Sequence, residues 1–402
     1  MVEWRETTWG TEISLEYGKG IRGYADAVGP YRVFGSNGPV GWTNEPLAPG
    51  PGVILGRKGA YRGVQFSKEP FFVIDTAYYV VPKSELDMRW LYYAIIHHKL
   101  GEIDDGSPIP STTRAAVYVR DLSVPELAEQ EAIASVLGTL DDKIELNRRM
   151  NGTLEAMARA IYKDWFVDFG PTRAKMEGRA PYLAPNIWSL FPDRLDDQGK
   201  PTGWITSTIG QEVEVFGGST PSTKEPAFWG GDIAWATPKD LSSLSTPALL
   251  STERQITDAG LAQIGSGLLP VGTVLLSSRA PIGYMAIAQI PVAVNQGFIA
   301  MICEKRLSNI FVWLWTQANM ETVHQNANGS TFQEISKANF RPIELTVATP
   351  ELLRAFDETA RPLFDRIVAN EKENRSLAAT RDFLLPRLMS GEVRVGDAAS
   401  FV

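Results

Sequence analysis

The 402-residue chain contains one cysteine, Cys303, and three histidines, His97, His98 and His324. A single thiol excludes a disulfide framework and any multi-thiolate metal centre. The adjacent His97 and His98 would point apart on a helix and cannot chelate one ion. No run approaches the about 18 uninterrupted apolar residues of a membrane span, and the opening Met1-Val2-Glu3-Trp4-Arg5 lacks an apolar targeting stretch. These absences predict a protein of the reducing cytoplasm. Positive charge is also in short supply. The net charge is −8; residues 1–123 hold 13 basic against 14 acidic side chains, and residues 204–348 hold 8 against 11. Phosphate neutralisation is the main source of nucleic-acid affinity, so a DNA-binding chain with this balance needs local clusters or a partner that supplies charge.

Catalytic signatures are missing as well. No Asn/Asp-Pro-Pro-aromatic tetrad is present to hold a target amine, as an amine-directed DNA methyltransferase requires. No Glu-x-Lys occurs, and the one Asp-x-Lys, Asp141-Asp142-Lys143, lies in a helical pattern where a Mg²⁺-dependent nuclease centre is not expected. The run Gly217-Gly218-Ser219-Thr220-Pro221-Ser222-Thr223 lacks the Gly-Lys-Ser/Thr ending of a phosphate cradle and reads as a surface loop. Cys303, in an apolar strand-like run, reads as a small buried side chain.

What is present is a repeat. Residues 124–166 and 349–389 both carry Pro-Glu-Leu near their start, and Asp142-Lys143-Ile144 falls on Asp365-Arg366-Ile367 once two residues are dropped. The chain is thus a tandem duplication of about 200 residues per copy. In the first copy Ile133, Leu137, Leu140, Ile144, Asn147, Asn151, Leu154, Ala158, Ile161 and Trp165 step by four and three, the a/d rhythm of a coiled coil. Phe356, Ala360, Leu363, Ile367, Asn370, Asn374, Leu377, Arg381, Leu384 and Leu388 repeat it in the second. Two helices with matching seams should pair, antiparallel given the tandem order. Asparagines near the middle of each seam either fix register as buried pairs or mark a wet polar crossing.

Pro125 and Pro350 suit first-turn positions, Gly170-Pro171 should stop the first helix, and Pro386 with Gly391 the second. Pro362 should kink the second helix or delay its start. Each helix follows a segment of short β-rich runs between Gly and Pro, such as Val53-Ile54-Leu55 and Val274-Leu275-Leu276, with helical patches at Met88–Lys99 and Asn309–Gln325. The fold expected is mixed α/β, with two similar domains and two long antiparallel coiled-coil helices in a pseudo-twofold tandem arrangement. Residues 170–203 read as an irregular connector.

Several phrases together resemble the specificity subunit of type I restriction-modification systems over about residues 1–393. They are Pro30-Tyr31-Arg32-Val33-Phe34-Gly35-Ser36-Asn37-Gly38, Val124-Pro125-Glu126-Leu127 with Gln130 and Ile133, and Trp165-Phe166-Val167-Asp168-Phe169. In the second half they are Gly217–Ser222, Phe228-Trp229-Gly230-Gly231-Asp232-Ile233, Thr237-Pro238-Lys239-Asp240-Leu241 and Leu385-Pro386-Arg387-Leu388-Met389-Ser390-Gly391-Glu392-Val393. The resemblance implies target recognition domains at 1–123 and 204–348, spacer helices at 124–169 and 349–391, a connector at 170–203 and a tail at 392–402. It implies a non-catalytic chain in which each recognition domain reads half of a bipartite double-stranded DNA target. The helices would set the spacing and dock two methyltransferase subunits, with restriction subunits joining the full complex. S-adenosylmethionine, ATP and Mg²⁺ would bind to those partners and no cofactor to this chain. A coiled-coil adaptor that binds only protein would show the same duplication and heptads; the phrases favour the DNA reader.

Polar and aromatic residues in loops, where a core role is implausible, are the DNA-facing candidates. In the first domain these are Lys19, Arg22, Tyr31, Arg57, Lys58, Tyr61, Arg62, Ser111, Thr112 and Arg114. In the second they are Thr220, Ser222, Lys224, Lys239, Arg279, Tyr284, Asn295, Gln296, Ser330 and Gln333. Arginine can bridge guanine O6 and N7, and Asn or Gln adenine N6 and N7, whereas lysine more often meets phosphate. Apolar residues beyond the seam, among them Val136, Met150, Met157 and Phe383, need a second burial surface. Met150, Met157, Trp165, Phe166 and Leu388 are therefore the candidate partner dock, the alternative being that they pack on this chain's own domains.

Overall fold

A computed structural model describes residues 4–104, 106, 110–329 and 333–398. It separates into two compact units, Met1–Ile144 with Arg375–Val402, and Glu145–Asn374. The division falls inside both long helices, so each unit holds one α/β domain, the beginning of one long helix and the end of the other.

In the first domain β1 (Arg5–Thr8), β2 (Ile13–Tyr17), β3 (Tyr31–Gly35), β4 (Gly38–Thr43), β5 (Gly52–Gly56), β6 (Val64–Ser67), β7 (Phe71–Val73), β8 (Ala77–Pro82) and β9 (Asp121–Val124) form three sheets. Their orders are β1-β9, β2-β8-β5-β6 and β4-β3-β7. Val53, Ile54 and Leu55 are buried on both faces of β5, which is why that run reads as continuous rather than alternating. The helix Met88–His97, capped by Asp87 accepting from the amides of Arg89 and Trp90, packs Trp90, Leu91 and Ile95 into the same core.

The second domain repeats this plan. Its strands are β10 (Ile205–Thr208), β11 (Glu214–Phe216), β12 (Trp229–Ala236), β13 (Ala248–Leu249), β14 (Arg254–Ile256), β15 (Val274–Ser278), β16 (Ile282–Ala288), β17 (Ala293–Val294), β18 (Phe298–Ile302) and β19 (Glu344–Val347). Sheets β10-β19, β11-β18-β15-β16-β13 and β14-β12-β17 match those of the first domain strand for strand, with β13 added at an edge. The correspondence extends to single residues. A Cβ on Gly18 would lie 2.0 Å from the Ile74 carbonyl oxygen, and one on Gly218 would lie 1.7 Å from that of Val294, so both domains need glycine just after β2 and β11. Glu12 and Glu212 are both buried. Glu12 takes hydrogen bonds from Arg5, Thr7 and Ser84, and Glu212 from Ser207 and Arg306.

Arg5, aided by Ser84 and Thr7, holds the Glu12 carboxyl down at about 2 against the opposing effect of burial. A carboxylate depressed on folding stabilises fully above its unfolded pKa, near 4.3, and the contribution is lost as pH falls through about 2. Melting temperature followed between pH 5 and 2 should therefore fall more steeply for the natural chain than for Glu12→Gln. Parallel curves would remove Glu12 from the acid response.

The first long helix spans Leu127–Tyr162 and the second Pro350–Met389. The second runs through Pro362 and Pro386 without interruption, contrary to the expected break. Phe356, Ala360 and Phe364 are buried on either side of Pro362 and hold the helix to its core, while the proline ring is exposed. Gly391, with φ of 71°, follows the end. The first helix continues into a π-helical turn at Lys163–Val167. This wider turn shifts the helical phase and lets the consecutive Trp165 and Phe166 both face inward. Gly170-Pro171 then opens a new helix, Gly170–Met176, rather than a loop; with Pro185–Trp188 it makes the connector more regular than expected. Thr172, Ala174 and Phe191 are buried there.

Residues 145–162 meet 363–374 antiparallel. Asn147 donates to Asn374 at 3.0 Å and to Glu373 at 2.8 Å, and Asn370 donates to Asn151 at 2.8 Å. All four asparagines are at most 7% exposed, which decides for buried pairs over a wet crossing. In the first unit Ile133, Leu137 and Leu140 share a core with Leu384 and Leu388, and Arg381 bonds Asp141 at 2.7 Å. Asp141 also accepts from Tyr93 at 2.6 Å, and Asp142 accepts two bonds from Arg89 at 2.9 and 2.7 Å. The Asp-x-Lys element is thus an architectural junction. Gly138 belongs to it, since a Cβ there would meet the Arg89 guanidinium at 2.6 Å.

Candidate nucleic-acid interface

In the first domain the fold gathers Arg57 and Arg114 around Tyr17, with guanidinium carbons 5.1 and 4.2 Å from the ring centroid. Tyr78 packs against Tyr17 with the rings tilted and their centroids 5.1 Å apart, and donates to the Thr112 carbonyl; burial pushes its hydroxyl up to about 12, so it stays a neutral donor. Arg57 also bonds the Asp75 carbonyl at 2.9 Å, and Arg114 pairs with Glu16 at 3.5 Å. Lys58 bridges to Ser111 through the backbone, beside Arg57. Lys19, Arg22 and Tyr61 are exposed, and Tyr31 is half-buried on β3.

Two candidates from this domain are corrected. Thr112 is fully buried, with its hydroxyl turned to the carbonyls of Leu100 and Ile103. Arg62 donates to the carbonyls of Gly59, Gly101 and Ile103 at 2.7, 3.0 and 3.0 Å, so each of its three nitrogens is engaged in fastening two loops.

In the second domain Thr220 donates to Gln296 at 2.7 Å, joining the Gly217–Thr223 loop to the turn after β17. Asn295 accepts from the Gly297 amide at 2.8 Å. Lys239 pairs with Glu253 at 2.7 Å and Arg279 with Glu334 at 3.6 Å. Both pairs are solvent-accessible, and such pairs exchange readily for phosphate. Ser222, Lys224 and Gln333 are exposed, and Tyr284 is half-buried against apolar neighbours. Ser330 lies outside the described residues.

Of the dock candidates, Trp165, Phe166 and Leu388 are corrected. They are 2%, 7% and 1% exposed and form part of this chain's own cores, where the π-helical turn and the seam place them. Met157 is 47% exposed, as is Leu146 at 46% about three turns earlier on the same helix, and Met150 is half-buried. Phe383 is exposed under the guanidinium of Arg387 at 3.8 Å, while Val136 packs partly against the first core.

Two arginines outside the sequence-based selection stand on tryptophan. Arg32 lies over Trp42 at 4.2 Å and Arg254 over Trp229 at 3.5 Å. Arg32 falls in the Pro30–Gly38 phrase and Trp229 in Phe228–Ile233, but nothing along the chain pairs either arginine with its tryptophan. Among the described residues no cluster of His, Cys, Asp and Glu could hold a metal ion, and no helix is long and apolar enough to cross a membrane.

A duplicated pair of α/β domains, joined by an antiparallel helix pair and offering polar loops, defines a recognition subunit. The chain belongs to the family whose model is described as the type I restriction modification DNA specificity domain, matched over residues 25–156 and 201–354. Membership assigns it to DNA-sequence specificity; specificity subunits of these systems are not catalytic. It is similar to the type I restriction enzyme HindI specificity subunit of Haemophilus influenzae, 24% identical over 375 residues, covering 80% of this chain and 81% of that protein. It is also similar to the MjaIX specificity subunit of Methanocaldococcus jannaschii, 36% identical over 184 residues, covering 45% and 42%. The crystal structure of the type I restriction-modification S subunit from M. genitalium shares the fold, with a TM-score of 0.61 at 16% identity over 96% of both chains.

Proposed function

We propose that the recognition domains at 1–123 and 204–348 each read one half of a bipartite duplex target. The spacer helices at 124–169 and 349–391 set the interval between the halves and dock two methyltransferase subunits. S-adenosylmethionine, ATP and Mg²⁺ then belong to the methyltransferase and restriction subunits, in the cytoplasm. The observation that carries the reading is the strand-for-strand match of the two domains. A reader built twice and joined by a stiff spacer suits two half-sites along one DNA. The acidic balance of −8 assigns part of the phosphate contact to the partner subunits.

The target is read by mapping methylated adenines in cells with and without the gene. Competition binding by the assembled complex at fixed salt then separates the halves. Arg57→Ala should weaken recognition of one half-site only, and Arg279→Ala or Gln296→Ala that of the other, each by about 1 to 3 kcal/mol if the residue contacts a base. An adenine methylation pattern indifferent to the gene would overturn the reading and leave a protein-binding adaptor.

A further inference from the structure

The small sheet of each domain carries a cross-strand pair of arginine and tryptophan. On β3 and β4 Arg32 faces Trp42; on β14 and β12 Arg254 faces Trp235 and also covers Trp229. β3 and β12 are the central strands of matching sheets, so the pair recurs at one place in the fold although the arginine has changed strand. In the second domain the clamp is itself fixed. Trp229 and Trp235 meet edge to face at 5.0 Å, and their indole N–H groups donate to the carbonyls of Ser222 and Ser219 at 3.0 and 3.2 Å.

Arg32 and Arg254 differ from the arginines around them. Arg57 and Arg62 are tied to carbonyls, and Arg114 and Arg279 to carboxylates, whereas neither of these two has a side-chain hydrogen bond or ion pair among the described residues. Stacking engages the face of a guanidinium and leaves its five in-plane donors unspent, while the aromatic surface limits the rotamers that a bidentate contact would otherwise have to freeze. We infer that Arg32 and Arg254 are the arginines through which the two small sheets contact duplex DNA, one for each half-site, each donating to a pair of adjacent acceptors. The inference rests on the DNA-reading function proposed above. Two sources on DNA offer such a pair: O6 and N7 of a guanine, and two oxygens of a backbone phosphate.

The test is competition binding by the complex assembled with its methyltransferase subunits, using Arg32→Ala and Arg254→Ala. The probes are a duplex carrying the methylation-mapped target and duplexes scrambled in one half. Target affinity should fall roughly five- to 150-fold for a base-edge contact. Each variant should then be indifferent to scrambling of its own half-site, and lysine should not restore binding. A phosphate contact instead weakens all duplexes alike, flattens the salt dependence and is largely restored by lysine. Arg32→Gln and Arg254→Gln keep the packing over the indole and give the same reading if an alanine variant melts early. Natural affinity in all these variants would overturn the inference and leave the DNA-reading function standing. A natural complex that binds target and scrambled duplexes equally would overturn both.

Discussion

Truncating Trp165 to alanine should remove about 3 to 5 kcal/mol of stability, the cost of emptying a large aromatic site in a packed core. Its indole meets Phe166, Phe191 and Phe356 at 6.2, 5.3 and 5.9 Å, and Phe166 passes the contact on to Trp204 and Phe311. This cluster joins the π-helical turn, the connector, the second domain and the start of the second long helix. Loss of the ring should therefore lower the denaturation midpoint of the unit Glu145–Asn374. Met157→Glu supplies the contrast: at an exposed helical position it should leave the midpoint within about 0.5 kcal/mol, yet reduce co-purification of the methyltransferase subunit if the exposed helix face is the dock. An unchanged midpoint in Trp165→Ala would contradict the burial of the residue. Undiminished assembly of Met157→Glu would place the dock elsewhere.

A second large effect is expected from the asparagine pairs. Asn147→Leu leaves the Asn374 amide oxygen buried without its donor and also removes a bond to Glu373. It should cost about 1 to 3 kcal/mol. Adding Asn374→Leu removes the stranded amide and supplies a Leu–Leu seam contact, so the double variant should recover most of that loss or exceed the natural stability. Denaturant unfolding of the four proteins of this cycle reads the coupling, expected above about 1 kcal/mol in size. Additive costs would show that the two amides act independently. The same logic applies to Asn151 with Asn370, where the second pair at one-turn spacing restrains register further.

The long helices were legible because the a/d rhythm spans some ten positions per copy, and each position is tested by burial against one neighbour. Their ends and irregularities were not. Continuation through Pro362 depends on the hold exerted by Phe356 and Phe364, and the inward turn of both Trp165 and Phe166 depends on a phase shift that no local pattern announces. Candidate site residues were harder still. Arg62 looks like an exposed loop cation until the fold brings up the carbonyls of Gly101 and Ile103, and Thr112 is buried by the same loops. Arg254 is inconspicuous in the sequence for the opposite reason. Its tryptophan clamp exists only because β14 pairs with β12 across an irregular register between Trp229 and Ile233.

The interleaving of the units has a temporal side. Glu145–Asn374 is one uninterrupted stretch, whereas the other unit joins Met1–Ile144 to Arg375–Val402. On the ribosome the first domain emerges before the second, but Ile133, Leu137 and Leu140 must wait about 250 residues for Leu384 and Leu388. At about 5 to 20 residues per second that is a delay on the order of 10 to 50 seconds. Throughout it an apolar helix face lacks its partner while the chain of the later unit is being made. Of the two units, the one begun first is thus the one completed last, and the half-finished chain presents that face to chaperones, or to neighbouring nascent chains, until the end of the second long helix is made.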